Sequence, residues 1–393
     1  MIIETNTSMN NKSRSMKRRR RPRDSYFLQQ TFRTHYPRMT VGSWIPIFKL
    51  LSIIYLLMGL VCFYLNFSVV EYKFEYTECL REFDINSSQQ MDIVHCKDVI
   101  DKNPGSICRC QIPVYMEQIP KNVYIYYGME FYYQNYLPYV SSIDSFQLSG
   151  QQLTSDDCPI INNHTLPIVP CGMAANSMFN DTFELKKRIL ARDQYGITKR
   201  YLYPISIIRK NISWRFPERY QNPSVPLNES LEYAFRGTMK PKNWPLPIYE
   251  LDIGDPNNNG FENEAFINWM QISPFSSFRK AYGHIDHHRM NSSFISNGLQ
   301  AGQYILQINY SYPVHRFNGK KFIIISNTSP MGGKNYVLSY IFLITSLFTA
   351  IITIIFYYLD KRYGQVSTQV YDYLYQNYET DDRNTGYRYS RLN

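Results

Sequence analysis

LLSIIYLLMGLVCFYLNFSVV, residues 50–70, and YVLSYIFLITSLFTAIITIIFYY, residues 336–358, decide how this chain is built. Nothing charged lies between Lys49 and Glu71, or between Lys334 and Asp360. A helix rising 1.5 Å per residue needs about 20 mostly apolar residues to cross a bilayer core, and both stretches are that long. In lipid each span must satisfy its own backbone, so both are predicted helical despite their β-branched residues. The first span is too long for a cleaved signal peptide, starts more than forty residues in and has no small-residue cleavage site after it. A signal-anchor is the expected reading.

Basic residues beside the spans set the orientation. Ten Lys/Arg precede Trp44, including the run Lys17–Arg21, against Glu4 and Asp24. Past the first span Glu71, Glu75, Glu78, Glu82 and Asp84 outnumber Lys73 and Arg81, and Lys361 and Arg362 follow the second span directly. The expected domains are a cytosolic basic tail at 1–43, a first span at 44–70, a lumenal or extracellular domain at 71–335, a second span at 336–359 and a cytosolic tail at 360–393. The net charge of +10 sits almost wholly on the N-terminal tail, leaving the ectodomain near neutral. Nucleic-acid binding needs a basic face on a folded domain and is excluded. Beside an anchor, the basic run reads as a topology determinant or as attraction to anionic cytoplasmic lipid.

Between the spans lie Cys79, Cys96, Cys108, Cys110, Cys158 and Cys171, an even set that predicts three disulfides in an oxidising compartment. Sequence alone leaves 15 pairings open. Cys158 and Cys171 stand apart from the rest and are expected to pair with each other. Eight Asn-x-Ser/Thr sequons, at Asn86, Asn163, Asn180, Asn211, Asn228, Asn291, Asn309 and Asn327, predict glycosylation at some of them. Asn66 fits the pattern too but lies against the membrane.

Alternation of Val70, Tyr72, Phe74 and Tyr76 with charged neighbours predicts a half-buried strand leaving the membrane. Strands are also predicted at Val123–Tyr127, Gln303–Tyr312 and Lys321–Ser326, with an Asn318-Gly319 hairpin turn before the last. Pro313 predicts an edge or a short strand before it. Helices are predicted at Glu130–Ser142, Asp181–Asp193 and Glu264–Tyr282. The ectodomain is therefore expected to be mainly antiparallel β with a few helices.

Chemistry-bearing motifs are weak. His284 and His288 lack helical framing and a metalloprotease Glu, and read as a polar surface loop. Cys108-Arg109-Cys110 alone does not make a metal site. Gly332-Gly333-Lys334-Asn335 lacks the earlier glycine and the following Ser/Thr of a phosphate loop, and reads as a joint into the second span. No catalytic residue, metal or cofactor is assigned. Thr345, Thr349 and Thr353 form a hydroxyl stripe on the second span. Such hydroxyls bond back to their own helix, or else mark a face packed on another membrane helix or lining a pore.

Pro167-Ile-Val-Pro170-Cys171-Gly172-Met173-Ala-Ala-Asn176-Ser177-Met178-Phe179-Asn180-Asp181-Thr182 resembles the cell-division-cycle-fifty (ligand-effect-modulator) family. These are non-catalytic β-subunits of type IV P-type ATPases that flip phospholipids. The likeness extends to Phe27-Leu-Gln29-Gln30, Tyr76-Thr77-x-Cys79, Tyr126-Tyr127-Gly128, Phe131 through Asn135, Gln147-Leu148-x-Gly150, Phe266 through Met270 and Gly332 through Asn335. Pro330 stands where the family usually has Trp. The resemblance implies an asymmetric β-sandwich ectodomain, disulfides Cys79–Cys110, Cys96–Cys108 and Cys158–Cys171, and a glycan on Asn180. It also implies a heterodimer with the ATPase α-subunit, set among membrane lipids of the endoplasmic reticulum, Golgi, endosomes or plasma membrane. Candidate partner contacts are Phe27, Gln29, Gln30, Tyr126, Tyr127, Asn135, Gly332, Gly333, Lys334, Asn335, Thr345, Thr349 and Thr353. The rival readings are a two-span trimeric ligand-gated channel, whose pore the threonines would line, and a cell-surface receptor.

Overall fold

The computed structural model describes residues 40–82, 94–151, 153, 166–192, 198–214, 218–287, 295 and 297–384. Phe27, Gln29, Gln30, Asn86, Cys158, Asn163, His288 and Asn291 lie outside them. The chain divides into two compact units, with boundaries at Leu57/Met58 and Ile341/Phe342.

The helices are α1 (Val41–Phe67), α2 (Cys96–Lys102), α3 (Leu137–Val140), α4 (Ser145–Leu148), α5 (Gly172–Asn176), α6 (Leu231–Ala234), α7 (Glu264–Met270) and α8 (Val337–Asn384). Only α1 and the Val337–Gly364 part of α8 are long and apolar enough, among the described residues, to cross a membrane. In the unit formed by residues 40–57 and 342–384, Ser52 Oγ donates to the Ser346 carbonyl at 3.1 Å and Ser346 Oγ donates to that of Ser52 at 2.9 Å. Phe48 meets Phe356 edge-on with ring centroids 5.4 Å apart. Small hydroxyl residues here let two helices approach and exchange bonds where lipid offers none.

The unit from Met58 to Ile341 is a two-sheet antiparallel sandwich. Its strands are β1 (Glu71–Glu75), β2 (Cys108–Met116), β3 (Val123–Glu130), β4 (Thr182–Arg192), β5 (Thr198–Ile205), β6 (Ile207–Ile208), β7 (Phe278–Ile285), β8 (Gly302–Tyr310) and β9 (Lys320–Asn327). One sheet runs β1-β9-β3-β7-β6 and the other β2-β8-β4-β5. Period-two patterning makes the core. Ile323 and Ile325 of β9, Ile125 and Met129 of β3, and Met116, Leu306 and Ile308 of the second sheet are all buried between the layers. Strand β9 is buried on both faces, consistent with its place between β1 and β3.

Several local expectations are corrected. Asp181–Asp193 is not helical: Thr182–Arg192 is β4, with Phe183, Leu185 and Lys187 turned inward at alternate positions. Helix-forming Glu, Lys and Leu gave way to eleven-residue pairing between β8 and β5. Within Glu130–Ser142 only Leu137–Val140 is helical, because β3 runs on to Glu130 and Pro138 fixes the helix start. Within Glu264–Tyr282 the helix ends at Met270 and β7 begins at Phe278, with Pro274 between.

Asn318, in the left-handed region at φ 54°, does not close a hairpin. It passes the chain from β8 in one sheet to β9 in the other. Strand β8 is internal, and Pro313 lies three residues beyond its end at Tyr310. His284 is a β7 residue facing Tyr124 with ring centroids 5.8 Å apart, not part of a loop.

Candidate functional site

The Pro167–Thr182 segment is where the sheets and helices converge. Gln147 bridges its start: Nε2 donates to the Ile168 carbonyl at 3.3 Å and Oε1 accepts from Cys171 N at 2.8 Å. Two buried indoles then hold α5, Trp269 Nε1 donating to the Ala174 carbonyl and Trp244 Nε1 to that of Ala175, each at 2.7 Å. Gly172 has φ +92° and lies against the Ser142 carbonyl, where a Cβ would collide. Phe179 stacks on Tyr127 at 4.0 Å.

The segment ends in an ionic lock. Lys321 Nζ of β9 lies 2.6 Å from Asp181 Oδ2, and neither side chain touches solvent. Tyr76 OH donates to the same oxygen at 2.8 Å, while Oδ1 accepts from the backbone N–H groups of Ser311 and Tyr312, both at 2.6 Å. Lys321 also donates to the Tyr312 carbonyl at 2.8 Å and stands over the Tyr310 ring. All the charge-bearing atoms are thus engaged, as a buried pair requires. Burial pushes the Lys321 ammonium down to about 8, opposed by Asp181, and raises the Tyr76 phenol. A second buried cation, Lys280, closes the end of α7 by donating to the carbonyls of Asn268, Trp269 and Gln271 at 2.9, 2.7 and 2.6 Å. Burial lowers its pKa to about 7.

Cys79 is bonded to Cys110 and Cys96 to Cys108, which tie the chain after β1 to β2 and to α2. Cys171 is disulfide-bonded as well. Cys79, Cys96 and Cys110 cluster closely enough to suit a metal, but their sulfurs are committed to these bonds. Cys62 is a buried free thiol.

Where the chain meets its spans, Asn66 acts as a clamp. It is 4 % exposed; its Nδ2 donates to the Cys62 carbonyl at 2.8 Å and Ser339 Oγ at 3.3 Å, and its Oδ1 accepts from Asn335 N at 2.8 Å. Asn335 Oδ1 in turn accepts from Val337 N at 3.0 Å, an N-cap for α8. Asn327 repeats the device at β1, its Oδ1 accepting from Val70 N at 2.7 Å. Sequence reading passed Asn66 over as a sequon; a buried amide facing two chain ends carries no pattern in sequence.

The candidate contact residues separate by environment. Tyr126 lies on the outer face of its sheet, under the Arg279 guanidinium at 5.4 Å, and Arg279 is paired with Glu71 at 2.6 Å. Gly333 packs against the same guanidinium, and Gly332, at φ +98°, makes a tight turn with Ser329. These residues therefore form one cluster, with Lys334 exposed beside it. Asn135 is exposed and donates to the Pro274 carbonyl at 3.0 Å. Tyr127, by contrast, is a core residue, and burial raises its phenol far above the usual range. Thr349 Oγ1 donates to the Thr345 and Ser346 carbonyls and Thr353 Oγ1 to that of Thr349, so those two hydroxyls bond back to α8.

A pocket of about 150 Å³ lies beside Asn180, lined by Phe179, Trp244, Leu246, Tyr282 and Arg209. Asn211 and Asn228 are exposed, in left-handed conformations. Asn309 Nδ2 donates to Thr182 Oγ1 at 2.8 Å, and Asn327 is buried.

The fold and these clamps define a two-span membrane protein whose disulfide-bonded β-sandwich is tied closely to its membrane exits. The description of the LEM3 (ligand-effect modulator 3) family / CDC50 family matches residues 62–363. The chain is 34 % identical to cell cycle control protein 50A of Mus musculus over 88 % of this chain and 91 % of that one. It is 31 % identical to cell cycle control protein 50B of Homo sapiens, over 82 % and 89 %. It is also 28 % identical to the phospholipid-transporting ATPase accessory subunit CRF1 of Saccharomyces cerevisiae, over 92 % and 90 %. This chain belongs to the LEM3/CDC50 family.

Proposed function

We propose that this protein is the non-catalytic accessory β-subunit of a phospholipid-translocating type IV P-type ATPase, required for that enzyme's folding, exit from the endoplasmic reticulum and transport cycle. The observation that carries this reading is the family match, which begins within the first span and runs through the whole sandwich and the second span to residue 363, beside a relative named as an ATPase accessory subunit. ATP hydrolysis and lipid translocation belong to the partner. The basic N-terminal tail supports cytosolic termini, with the sandwich in the lumen or outside the cell.

In this reading the sandwich is a rigid body offered to the partner's lumenal loops. The cluster of Tyr126, Gly332, Gly333 and Lys334 is one contact surface on the ectodomain, exposed Asn135 is a separate contact, and Phe27, Gln29 and Gln30 serve on the cytosolic side. Thr345, Thr349 and Thr353 are the candidate contacts on α8; Thr349 and Thr353 spend their hydroxyls on the helix itself and so meet the partner by packing. Depleting the chain from its own cells tests the role. The partner ATPase is then expected to stay in the endoplasmic reticulum. Normal ATPase traffic and lipid asymmetry without the chain would refute it.

A further inference from the structure

Strand β4 outruns its sheet. Its last pairing with β8 is Lys187 with Tyr304, yet it continues to Arg192 paired only with β5. Strand β8 itself runs two residues further, to Gly302 paired with Met116, so residues 190–192 with their β5 partners make a two-stranded arm reaching roughly 10 Å beyond the sheet at about 3.3 Å per residue.

The arm projects from the end of the sandwich at which α1 feeds β1. Val70 and Asn327 mark that end of the first sheet, and Asn327 is level with Val123 at the start of β3. The second sheet has the same polarity: β2 ends at Met116, seven residues before Val123, and Glu117 N donates to Tyr72 OH of β1 at 2.9 Å. Met116 pairs with Gly302, next to the level where β4 leaves β8. The opposite end is closed by the Lys321–Asp181 lock beside Tyr310.

The composition of the arm is unlike the rest of the ectodomain. Residues 185–205 contain Lys186, Lys187, Arg188, Arg192, Lys199 and Arg200 against one acid, Asp193. On the face turned away from the core, Arg188 stands opposite Leu202 and Leu190 opposite Arg200. Leu190 is 65 % exposed and Leu202 46 %, and Tyr201 on the other face is 47 % exposed. Arg188 donates to the neutral Gln303 amide at 2.9 Å. Cations alternating with leucines on one surface suit an interface where phosphates lie above acyl chains.

We propose that this β4–β5 arm rests on the phospholipid surface of the leaflet facing the ectodomain, with Arg188 and Arg200 on headgroup phosphates and Leu190 and Leu202 inserted between headgroups. The inference uses the two-span topology and does not depend on the ATPase assignment.

The test puts the full-length chain in nanodiscs of phosphatidylcholine and phosphatidylserine, with a nitroxide near the top of the acyl chain. Leu190→Trp and Leu202→Trp are prepared separately, so that one reads the site if the other does not fold. Each is compared with wild type to subtract the four native indoles. The introduced indole is expected to be quenched about twofold more by the lipid nitroxide than by aqueous iodide. Adding Arg188→Glu and Arg200→Glu is expected to reverse that ratio. Quenching by iodide alone overturns the proposal. So does an indole shielded from both quenchers, which assigns the arm to a protein contact.

Discussion

Lys321 and Asp181 lie 2.6 Å apart with no solvent exposure, joining β9 of one sheet to the residue that precedes β4 of the other. The pair is anchored at the end of the sandwich away from the membrane exits. Removing one member leaves the other charge buried and unpaired. Lys321→Met is expected to destabilise the ectodomain by about 3–5 kcal/mol. Lys321→Met with Asp181→Asn is expected to cost less than the two single changes summed. Denaturant unfolding of the solubilised full chain, read by tryptophan fluorescence, measures both.

The two buried lysines give stability a pH dependence of defined sign. Lys280 is held at about 7 and Lys321 at about 8, against 10.5 in an unfolded chain. Across those windows the unfolded chain binds more protons, so stability rises with pH. The buried tyrosines, whose pKa values burial raises, act only above their ordinary value of 10. Unfolding midpoints at pH 7 and 9 are expected to increase for wild type, and Lys280→Met is expected to flatten that slope.

Asn66→Ala strips the acceptor from Asn335 N and the donor from Ser339, while leaving both helices apolar. A loss of about 1–3 kcal/mol is expected, since buried partners are left unsatisfied. Hydrogen exchange at the amide of Asn335 is expected to accelerate, with exchange in β8 unchanged.

Glycine positions separate strain from collision. Gly105 and Gly172 share φ +92°, but a Cβ at Gly105 meets open space and one at Gly172 meets the Ser142 carbonyl. Gly105→Ala is expected to cost about 1 kcal/mol, from backbone strain alone. Gly172→Ala is expected to abolish folding of the α5 region, read as loss of the native thermal transition.

Glycan occupancy should follow exposure. Asn211 and Asn228 are exposed and free to accept sugar, whereas Asn327 is buried. Peptide mapping is expected to find glycans on the first two and none on Asn327.

The period-two signal made β1, β3 and β8 readable from sequence, because their side chains alternate across one buried face, while β9 read as a short apolar run buried on both faces. It failed where composition and context disagreed. In β4 the inward Lys187 broke the apolar alternation, its amine reaching Gln300 while its stem stays buried. Assignment of strands to sheets was not legible either, since the turn chemistry of Asn318-Gly319 suits a hairpin as well as a crossover. The motif around Cys171 stood out in sequence as a resemblance, and the structure gives its physical content: two indoles, Gln147 and the Lys321 ion pair all converge on it. The roles of Asn66, Lys280 and Asp181 carried no signal, because each works by meeting backbone groups distant in sequence.

The accessory-subunit claim is tested most directly by purifying the tagged full-length chain from its own cells in mild detergent and weighing what comes with it. The account predicts a large P-type ATPase in about equimolar amount. Recovery of the chain alone, or as a homotrimer with no ATPase, would contradict it.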